Sequence, residues 1–384
     1  MKRERRTCLL VINSLAGGGA ERVFTTLVTD LARFRGECDF VVALLDDEEV
    51  EAYILPDWVK VYRLDSKASL NASVRRLCGL FRELRPDVCI SFLTRANFAA
   101  IVAGRLYGCK TIISERVNTT AHLAGRGKNA ISRALVRILY PRADGIIAVS
   151  QGVKDTLVKD FFVSADRVTV IPNPFDIDRI ATLALQPAPF EIAQGDWATM
   201  GRLVPTKNAA LAIRAFVAAS TKGRLFVLGD GPLRGELEAL VRDLDASDRV
   251  RICGFVENPY AVLGRCDAYI LPSEAEGFPN AMVEAMALGK PVVATDCPSG
   301  PSEIFETESA SDEPSRGRGG MLVKCGAVNM MARAITALDD SDLRRDLGKL
   351  ARERAMEFSV ERTTLGFWQV ITANFAAANR SSVQ

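Results

Sequence analysis

Between Ala268 and Thr295 the sequence admits one kind of structure. Ala268 to Leu271 and Pro291 to Thr295 are short apolar runs of strand character. Between them, Gly277-Phe278-Pro279-Asn280 reads as a turn, and Ala281, Met282, Val283, Ala285, Met286 and Leu288 recur at helical spacing. Strand, turn, helix, strand is the repeating unit of a parallel sheet, because parallel neighbours need a crossover, usually a helix. Two carboxylates sit in this unit, Glu276 at the turn and Glu284 inside the helix. Backbone N–H groups at a helix start attract phosphate, and glutamates accept hydrogen bonds from hydroxyls. The pattern suits a ligand that is part phosphate and part sugar. If the whole stretch were helical, the two glutamates would lie more than ~10 Å apart. That favours two separate contacts over the acid/base pair of a glycoside hydrolase.

The same alternation runs through the chain. Cys8 to Ile12, Phe40 to Leu45, Val59 to Arg63, Val88 to Phe92, Lys110 to Ser114, Gly145 to Val149 and Val168 to Ile171 read as strands. Helices stand between them, among them Ala20 to Phe34 and a basic one from about Ser73 to Arg85. Pro172-Asn-Pro-Phe-Asp and Gln186-Pro-Ala-Pro interrupt the pattern and read as a linker. Trp197 to Met200, Leu225 to Leu228, Val250 to Cys253, Ala268 to Leu271 and Val292 to Ala294 then form a second set of strands. The expected fold is α/β, with two doubly wound Rossmann-like domains facing a cleft. The polar stretch 306–319 has no periodicity and reads as a mobile loop.

Composition narrows the chemistry. No apolar run reaches the ~18 residues that cross a bilayer. The basic head of MKRERRTCLLVINSL is followed by too short an apolar stretch for a signal peptide, so it reads as a first strand of a cytoplasmic protein. Nine cysteines are scattered without a Cys-x-x-Cys pair, and His122 is the single histidine. No zinc spacing exists, and no mechanism needing two histidines is available. Lys and Arg outnumber Asp and Glu by seven over residues 1–172, and the remainder carries a surplus of five acids. This asymmetry argues against a nucleic-acid binder and for a first domain that meets something anionic, such as a membrane surface or a diphosphate-linked acceptor. Arg133 and Arg137 in one helical stretch, and Arg75, Arg76, Arg82 and Arg85 in another, read either as solvated faces or as contacts to anionic lipid or a polyprenyl diphosphate.

Three further clusters stand at strand ends. Gly17, Gly18 and Gly19 precede a helix and let a ligand approach the backbone. Arg202 and Lys207 follow the first strand of the second domain, where two cations suit a diphosphate. Leu228-Gly-Asp-Gly-Pro232 follows another strand. Taken with Leu15 to Val23, Gly201 to Asn208 and the Glu276-x7-Glu284 segment, these four pieces in order resemble family 4 retaining glycosyltransferases of the GT-B fold. The resemblance spans nearly the whole chain and is closest to bacterial enzymes of surface-polysaccharide and lipid-linked oligosaccharide assembly.

The resemblance implies an acceptor-binding domain over 1–175 and a nucleotide-sugar domain over 190–360. A last helix, around Glu361 to Phe375 within 361–384, returns to the first domain. It assigns Arg202 and Lys207 to the leaving diphosphate, Glu276 to donor-sugar hydroxyls and Glu284 to the ribose. Gly277, Phe278, Pro279 and Asn280 line the sugar and phosphate, with proline supplying no donor, and Gly254 and Phe255 form the base-binding turn. Gly18 and Gly19 face the donor diphosphate or the acceptor. Where family members carry a histidine after the strand Lys110 to Ser114, this chain has Glu115 and Arg116, one of which is expected to face the cleft, while His122 reads as a loop residue. The implied reaction is metal-independent, needs no cofactor, and moves a hexose or N-acetylhexosamine from a nucleotide diphosphate sugar to a glycan or polyprenyl-diphosphate-linked acceptor. UDP is the expected nucleotide, with a GDP-mannose enzyme as the alternative. A GT-B-like epimerase or a non-catalytic nucleotide-sugar binder are the other readings.

Overall fold

A computed structural model describes residues 5–122 and 128–381, the side chains of 121, 122, 128 and 376–381 excepted. The described residues divide into two compact units, residues 5–174 with 360–381, and residues 175–359.

In the first unit the elements are β1 (Arg6–Ile12), α1 (Gly19–Asp30), β2 (Cys38–Leu44), β3 (Lys60–Arg63), α2 (Leu70–Leu84), β4 (Val88–Phe92), α3 (Thr94–Tyr107), β5 (Lys110–Glu115), α4 (Thr119–His122), α5 (Lys128–Leu139), β6 (Gly145–Ala148), α6 (Gln151–Phe161) and β7 (Val168–Val170). The sheet is parallel throughout, in the order β3-β2-β1-β4-β5-β6-β7. Alternation along β1 explains why helices cover both faces. Cys8, Leu10 and Ile12 pack with Phe24, Leu27 and Val28 of α1. Leu9 and Val11 pack with Leu77 and Phe81 of α2 and with Ala96, Ala99, Ala100 and Ala103 of α3.

The second unit comprises α7 (Ile177–Ala184), β8 (Trp197–Met200), α8 (Ala209–Ala218), β9 (Leu225–Leu228), α9 (Arg234–Asp243), β10 (Val250–Gly254), α10 (Pro259–Leu263), β11 (Ala268–Leu271), α11 (Asn280–Ala287), β12 (Val292–Thr295), α12 (Pro301–Phe305), β13 (Ser315–Gly317), β14 (Gly320–Val323), α13 (Val328–Ala337) and α14 (Ser341–Met356). Its order is β10-β9-β8-β11-β12-β14-β13, parallel except for β13 against β14. In both sheets the strand order reverses beside the unit's first strand, between β1 and β4 and between β8 and β11.

The chain then re-enters the first unit as α15 (Val360–Ser381). Phe367, Trp368 and Ile371 enter the core on the α1 side of the first sheet. The Trp368 indole stacks on Phe34 at 4.6 Å and 12°, and Phe367 stacks on Phe92 at 6.0 Å.

Three local expectations are corrected. The basic helix begins at Leu70 rather than Ser73, because the Ser69 hydroxyl accepts from Ala72 N and caps it. The stretch expected as linker holds α7, capped by Asp176 and anchored by buried Ile177 and Ile180. Within 306–319, the segment expected to be a loop, β13 pairs with β14 across a turn where Gly319 adopts φ +98°. Arg318 ties this hairpin to Glu306 at 3.0 Å and Glu357 at 2.9 Å, a long-range pairing that local polarity does not reveal.

Trp368 carries much of the attachment of α15. Replacing it with Ala removes a large buried ring and should cost about 3–5 kcal/mol, read by urea denaturation of the wild type and Trp368→Ala. An unchanged midpoint would show that the helix is held elsewhere.

Candidate active site

The strand-order reversal between β8 and β11 leaves the carboxyl ends of those strands open on one edge, which is where open α/β sheets bind ligands. From β8 the chain passes through Gly201, Arg202 and Leu203 to a single 3-10 turn at Pro205–Lys207. Asn208 then adopts the left-handed conformation (φ 45°, ψ 46°), which asparagine tolerates, and its side chain caps α8 by accepting from Leu211 N. From β11 the chain passes through Pro272, Ser273, Glu274 and Glu276 to α11.

Two bonds lock these loops together. Glu274 N donates to Thr206 O at 2.9 Å, and Asn208 Nδ2 donates to the Glu274 carboxylate at 3.0 Å. The consequence is a contact between residues 69 positions apart: Lys207 Nζ lies 2.6 Å from Glu276 Oε1. The Ser273 hydroxyl donates to the same oxygen at 2.7 Å. Glu276 is buried and Lys207 is partly open, so this pair is sheltered more than a surface ion pair. Arg202 is exposed beside it and lines the same small pocket as Lys207 and Ser273.

The charges of Glu276 and Glu284 both act on Tyr269. The Tyr269 phenol donates to Met200 O and accepts from Met200 N, both at 3.1 Å. Burial pushes its pKa up, and the negative charge of Glu276 and of Glu284 pushes it further. Glu284 is itself buried, on α11. Cys297, after β12, is a buried thiol in the field of Glu276; burial first and that charge second hold it protonated, so it offers no thiolate nucleophile.

The turn between the glutamates is shaped by glycine and aromatic packing. The Phe278 ring turns inward against Phe358 at 5.4 Å and Phe175 at 6.2 Å, so it offers a ligand only its backbone. Pro279 is buried, and Asn280 opens α11. Gly277 is half-buried in the turn. Gly300 sits at φ +103°, where a Cβ would meet Pro279 Cδ at 2.5 Å, so the Ser299-Gly300 turn closes directly on this loop. Gly229, at φ +131°, brings the 228–232 loop against Gly201 O, which a Cβ would meet at 2.0 Å. Gly254 O accepts from Gly229 N at 2.8 Å, and Phe255 beside it is exposed at the end of edge strand β10.

In the first unit, Gly17 and Gly18 lie between β1 and α1 and Gly19 opens α1, all three exposed. The helix start already has an acid: a Cβ on Gly18 would meet Glu21 Oε2 at 2.4 Å. Glu115 and Arg116, one of which was expected to face the cleft, are both buried within the first unit. Glu115 is buried and accepts from the Tyr140 hydroxyl at 2.6 Å. Tyr140 also accepts from Asn97, which is bonded in turn to Ser91. Arg116 is buried over the Phe92 and Phe367 rings and donates to Ile171 O and Asn173 Oδ1 at 3.2 and 3.1 Å. Both side chains turn inward where they find partners, the Tyr140 hydroxyl for Glu115 and the Ile171 and Asn173 oxygens for Arg116. His122 ends α4 instead of lying in a loop, and its side chain falls outside the described residues.

Sequence reasoning did not single out Ser273, Glu274, Thr206 or Tyr269. Asn208 carried a detectable signal, an asparagine immediately before an apolar helix, but its second bond to Glu274 is visible only in three dimensions.

Comparison with known proteins decides the family. The model for glycosyl transferases group 1 matches residues 194–354, and that for glycosyltransferase family 4 matches 17–179. An N-acetylgalactosamine-N,N'-diacetylbacillosaminyl-diphospho-undecaprenol 4-alpha-N-acetylgalactosaminyltransferase of Campylobacter jejuni is 32% identical over 364 residues, covering 91% of this chain and 94% of its own. The chain belongs to the family 4 (group 1) glycosyltransferases. A second C. jejuni enzyme, a GalNAc-alpha-(1->4)-GalNAc-alpha-(1->3)-diNAcBac-PP-undecaprenol alpha-1,4-N-acetyl-D-galactosaminyltransferase, is 29% identical over 369 residues, covering 91% of this chain and 94% of its own. Among solved structures, HepE of Anabaena in complex with UDP aligns at TM-score 0.73 and 20% identity, covering 96% of this chain and 100% of that one. The two-domain α/β fold of this glycosyltransferase is therefore that of GT-B enzymes. Among the described residues no helix is long and apolar enough to cross a membrane.

Burial raises the Glu115 carboxyl from 4.5 to about 7, against opposing hydrogen bonds from Tyr140 and the backbone and the charge of Arg116. The neutral form is favoured by folding. Its stabilisation is complete below about pH 4.5 and is lost as pH rises through about 7, on the order of 3 kcal/mol at most. Denaturation of the wild type should thus show stability falling from pH 5 to pH 8, and Glu115→Gln should flatten part of that slope. Equal slopes would mean that Glu115 does not carry the dependence.

Proposed function

We propose that this glycosyltransferase moves a hexose or N-acetylhexosamine, with retention of anomeric configuration, from a UDP-linked donor to a hydroxyl of a lipid-linked or surface-polysaccharide glycan. It would work at the cytoplasmic face of a membrane and without a metal. The observation that carries the reading is the Lys207–Glu276 pair at the carboxyl ends of β8 and β11. One partner is a cation suited to a departing diphosphate, and the other a buried carboxylate suited to sugar hydroxyls.

In this reading, Lys207 and exposed Arg202 take the negative charge that grows on the leaving diphosphate, replacing a metal in that role. Glu276, held in place by Ser273, accepts from the donor sugar, and Glu284 accepts from the ribose. Backbone groups of Gly277, Phe278 and Asn280 line the sugar and phosphates, with Pro279 shaping the turn. Gly254 and Phe255 place an exposed ring for the base, and Gly18 and Gly19 meet the donor diphosphate or the acceptor. Glu276 is already engaged by Lys207 and Ser273, and Cys297 stays protonated. The leaving phosphate then serves as the base that deprotonates the acceptor on the same face. The UDP choice is supported by the fold shared with HepE, which is solved with UDP, and the acceptor class by the undecaprenol-linked substrates in the names of both C. jejuni relatives.

Thermal stabilisation with UDP-, GDP- and ADP-sugars in EDTA tests the donor: a shift with UDP and one UDP-sugar class is expected. A shift confined to GDP-sugars would overturn the nucleotide, and loss of binding in EDTA would overturn metal independence. With the donor identified, Lys207→Ala should lower kcat by about 100-fold or more. A rate near wild type would remove Lys207 from the mechanism. NMR of the product's anomeric configuration tests retention directly.

A further inference from the structure

The second sheet forks where its strand order reverses, and one side chain occupies the fork. β8 pairs with β9 along its full length, from Trp197 with Leu225 to Met200 with Leu228. On its other side β8 pairs with β11 at Trp197 with Ala268 and at Ala198 with Tyr269, and there the ladder stops. β11 itself continues to Leu271 as a partner of β12. The last two residues of β8 thus run beyond the end of the β11 ladder.

Alternate residues of a strand direct their backbone groups to the same neighbour. Trp197 N and Gly201 N donate to Arg224 O and Leu228 O, on the β9 side. Met200, one residue out of phase, therefore directs its N–H and C=O towards β11, past the last ladder pair. The Tyr269 hydroxyl meets both groups, accepting from Met200 N and donating to Met200 O at 3.1 Å each. A side chain takes the place of a strand. Tyr269 is fully buried, between Ala268 and Ile270 on an apolar strand. Phenylalanine would supply the same ring, and the hydroxyl is the part that Met200 requires.

The strand end held in this way is the root of the loop that carries Arg202 and Lys207. On the β9 side that loop is held by Gly201 N and by Leu203 N, which donates to Asp230 O at 2.9 Å. On the β11 side the phenol stands between the last ladder pair and the bond from Glu274 N to Thr206 O. Loss of the hydroxyl takes the partner from two backbone groups. They regain one if β8 closes on β11 or if water enters the fork, and either change moves Gly201 and Arg202. The charges of Glu276 and Glu284 reach the same phenol. Tyr269 thus stands between the cations that follow β8 and the carboxylates that follow β11.

We infer that Tyr269 is a positioning residue of this glycosyltransferase: its hydroxyl holds the end of β8 so that Arg202 and Lys207 meet the terminal phosphate of the donor's nucleotide. The inference rests on the diphosphate role proposed for those two cations, and it names the side chain that places them.

The test is isothermal titration of the full chain with UDP and with UMP in EDTA, replaced by GDP and GMP if the wild type binds only those. UMP lacks the phosphate that the cations would hold, so a defect in their placement falls on UDP. Tyr269→Phe should weaken UDP by roughly tenfold, the worth of one charge-assisted hydrogen bond, and UMP by less than about twofold. Lys207→Ala should shrink the preference for UDP over UMP. Adding Tyr269→Phe to it should cost less than about twofold more, because both act through one contact. Ile270→Val trims the opposite face of the same strand and should leave both affinities at the wild-type level, and thermal denaturation confirms that each variant folds. If Lys207→Ala keeps the full preference for UDP, or the wild type binds neither diphosphate, the diphosphate reading fails and the inference with it. The inference alone fails if Lys207→Ala loses the preference while Tyr269→Phe keeps it. It fails likewise if Tyr269→Phe weakens UDP and UMP alike, if Ile270→Val reproduces its loss, or if the two substitutions add in full.

Discussion

With one exception, each strand in the two sheets runs parallel to its neighbours, and no parallel pair can be closed by a short turn. Each connection therefore crosses a face of the sheet, and helices cover both faces. A four-residue strand such as Ala268–Leu271 is buried on both sides, and chemistry is left with the strand ends. The reversal of strand order then selects which ends diverge, β8 and β11 in the second unit. Lys207 and Glu276 stand on those two ends, so their meeting is a consequence of topology.

Topology alone would leave that meeting loose. The Glu274–Thr206 and Asn208–Glu274 bonds remove the slack between the loops, and Ser273 sets the carboxylate. Tight turns at Gly229 and Gly300 bring neighbouring loops to van der Waals distance where no side chain fits. A charge pair held this way needs little reorganisation when a charged ligand arrives, which is the physical basis of electrostatic catalysis.

The first unit uses the same architecture for different ends. Its glycine turn after β1 stands at the corresponding reversal, and Glu115 and Arg116 at the end of β5 turn into the core. Arg116 is satisfied in part by carbonyl and amide oxygens near the end of the unit's first segment and in part by rings from β4 and α15. A buried guanidinium so placed links the returning helix to the sheet.

Most strands and the two-unit α/β plan were legible in the sequence, because burial on both faces imposes short apolar runs. Val88–Phe92, Trp197–Met200, Leu225–Leu228 and Ala268–Leu271 lie where the pattern placed them. The β13–β14 hairpin was not legible, since its ion pairs join residues far apart in sequence. Nor was the inward turn of Glu115, for which Tyr140, 25 residues on, offers a partner in the core. Periodicity reports which side of an element is apolar and which residues end a strand. It carries no information on which strand ends become neighbours or on what a polar group finds there, and those depend on packing across the fold. The sequence by itself therefore determined the elements and the chemical groups available, and the tertiary structure decided that Lys207 faces Glu276 and that Glu115 faces Tyr140.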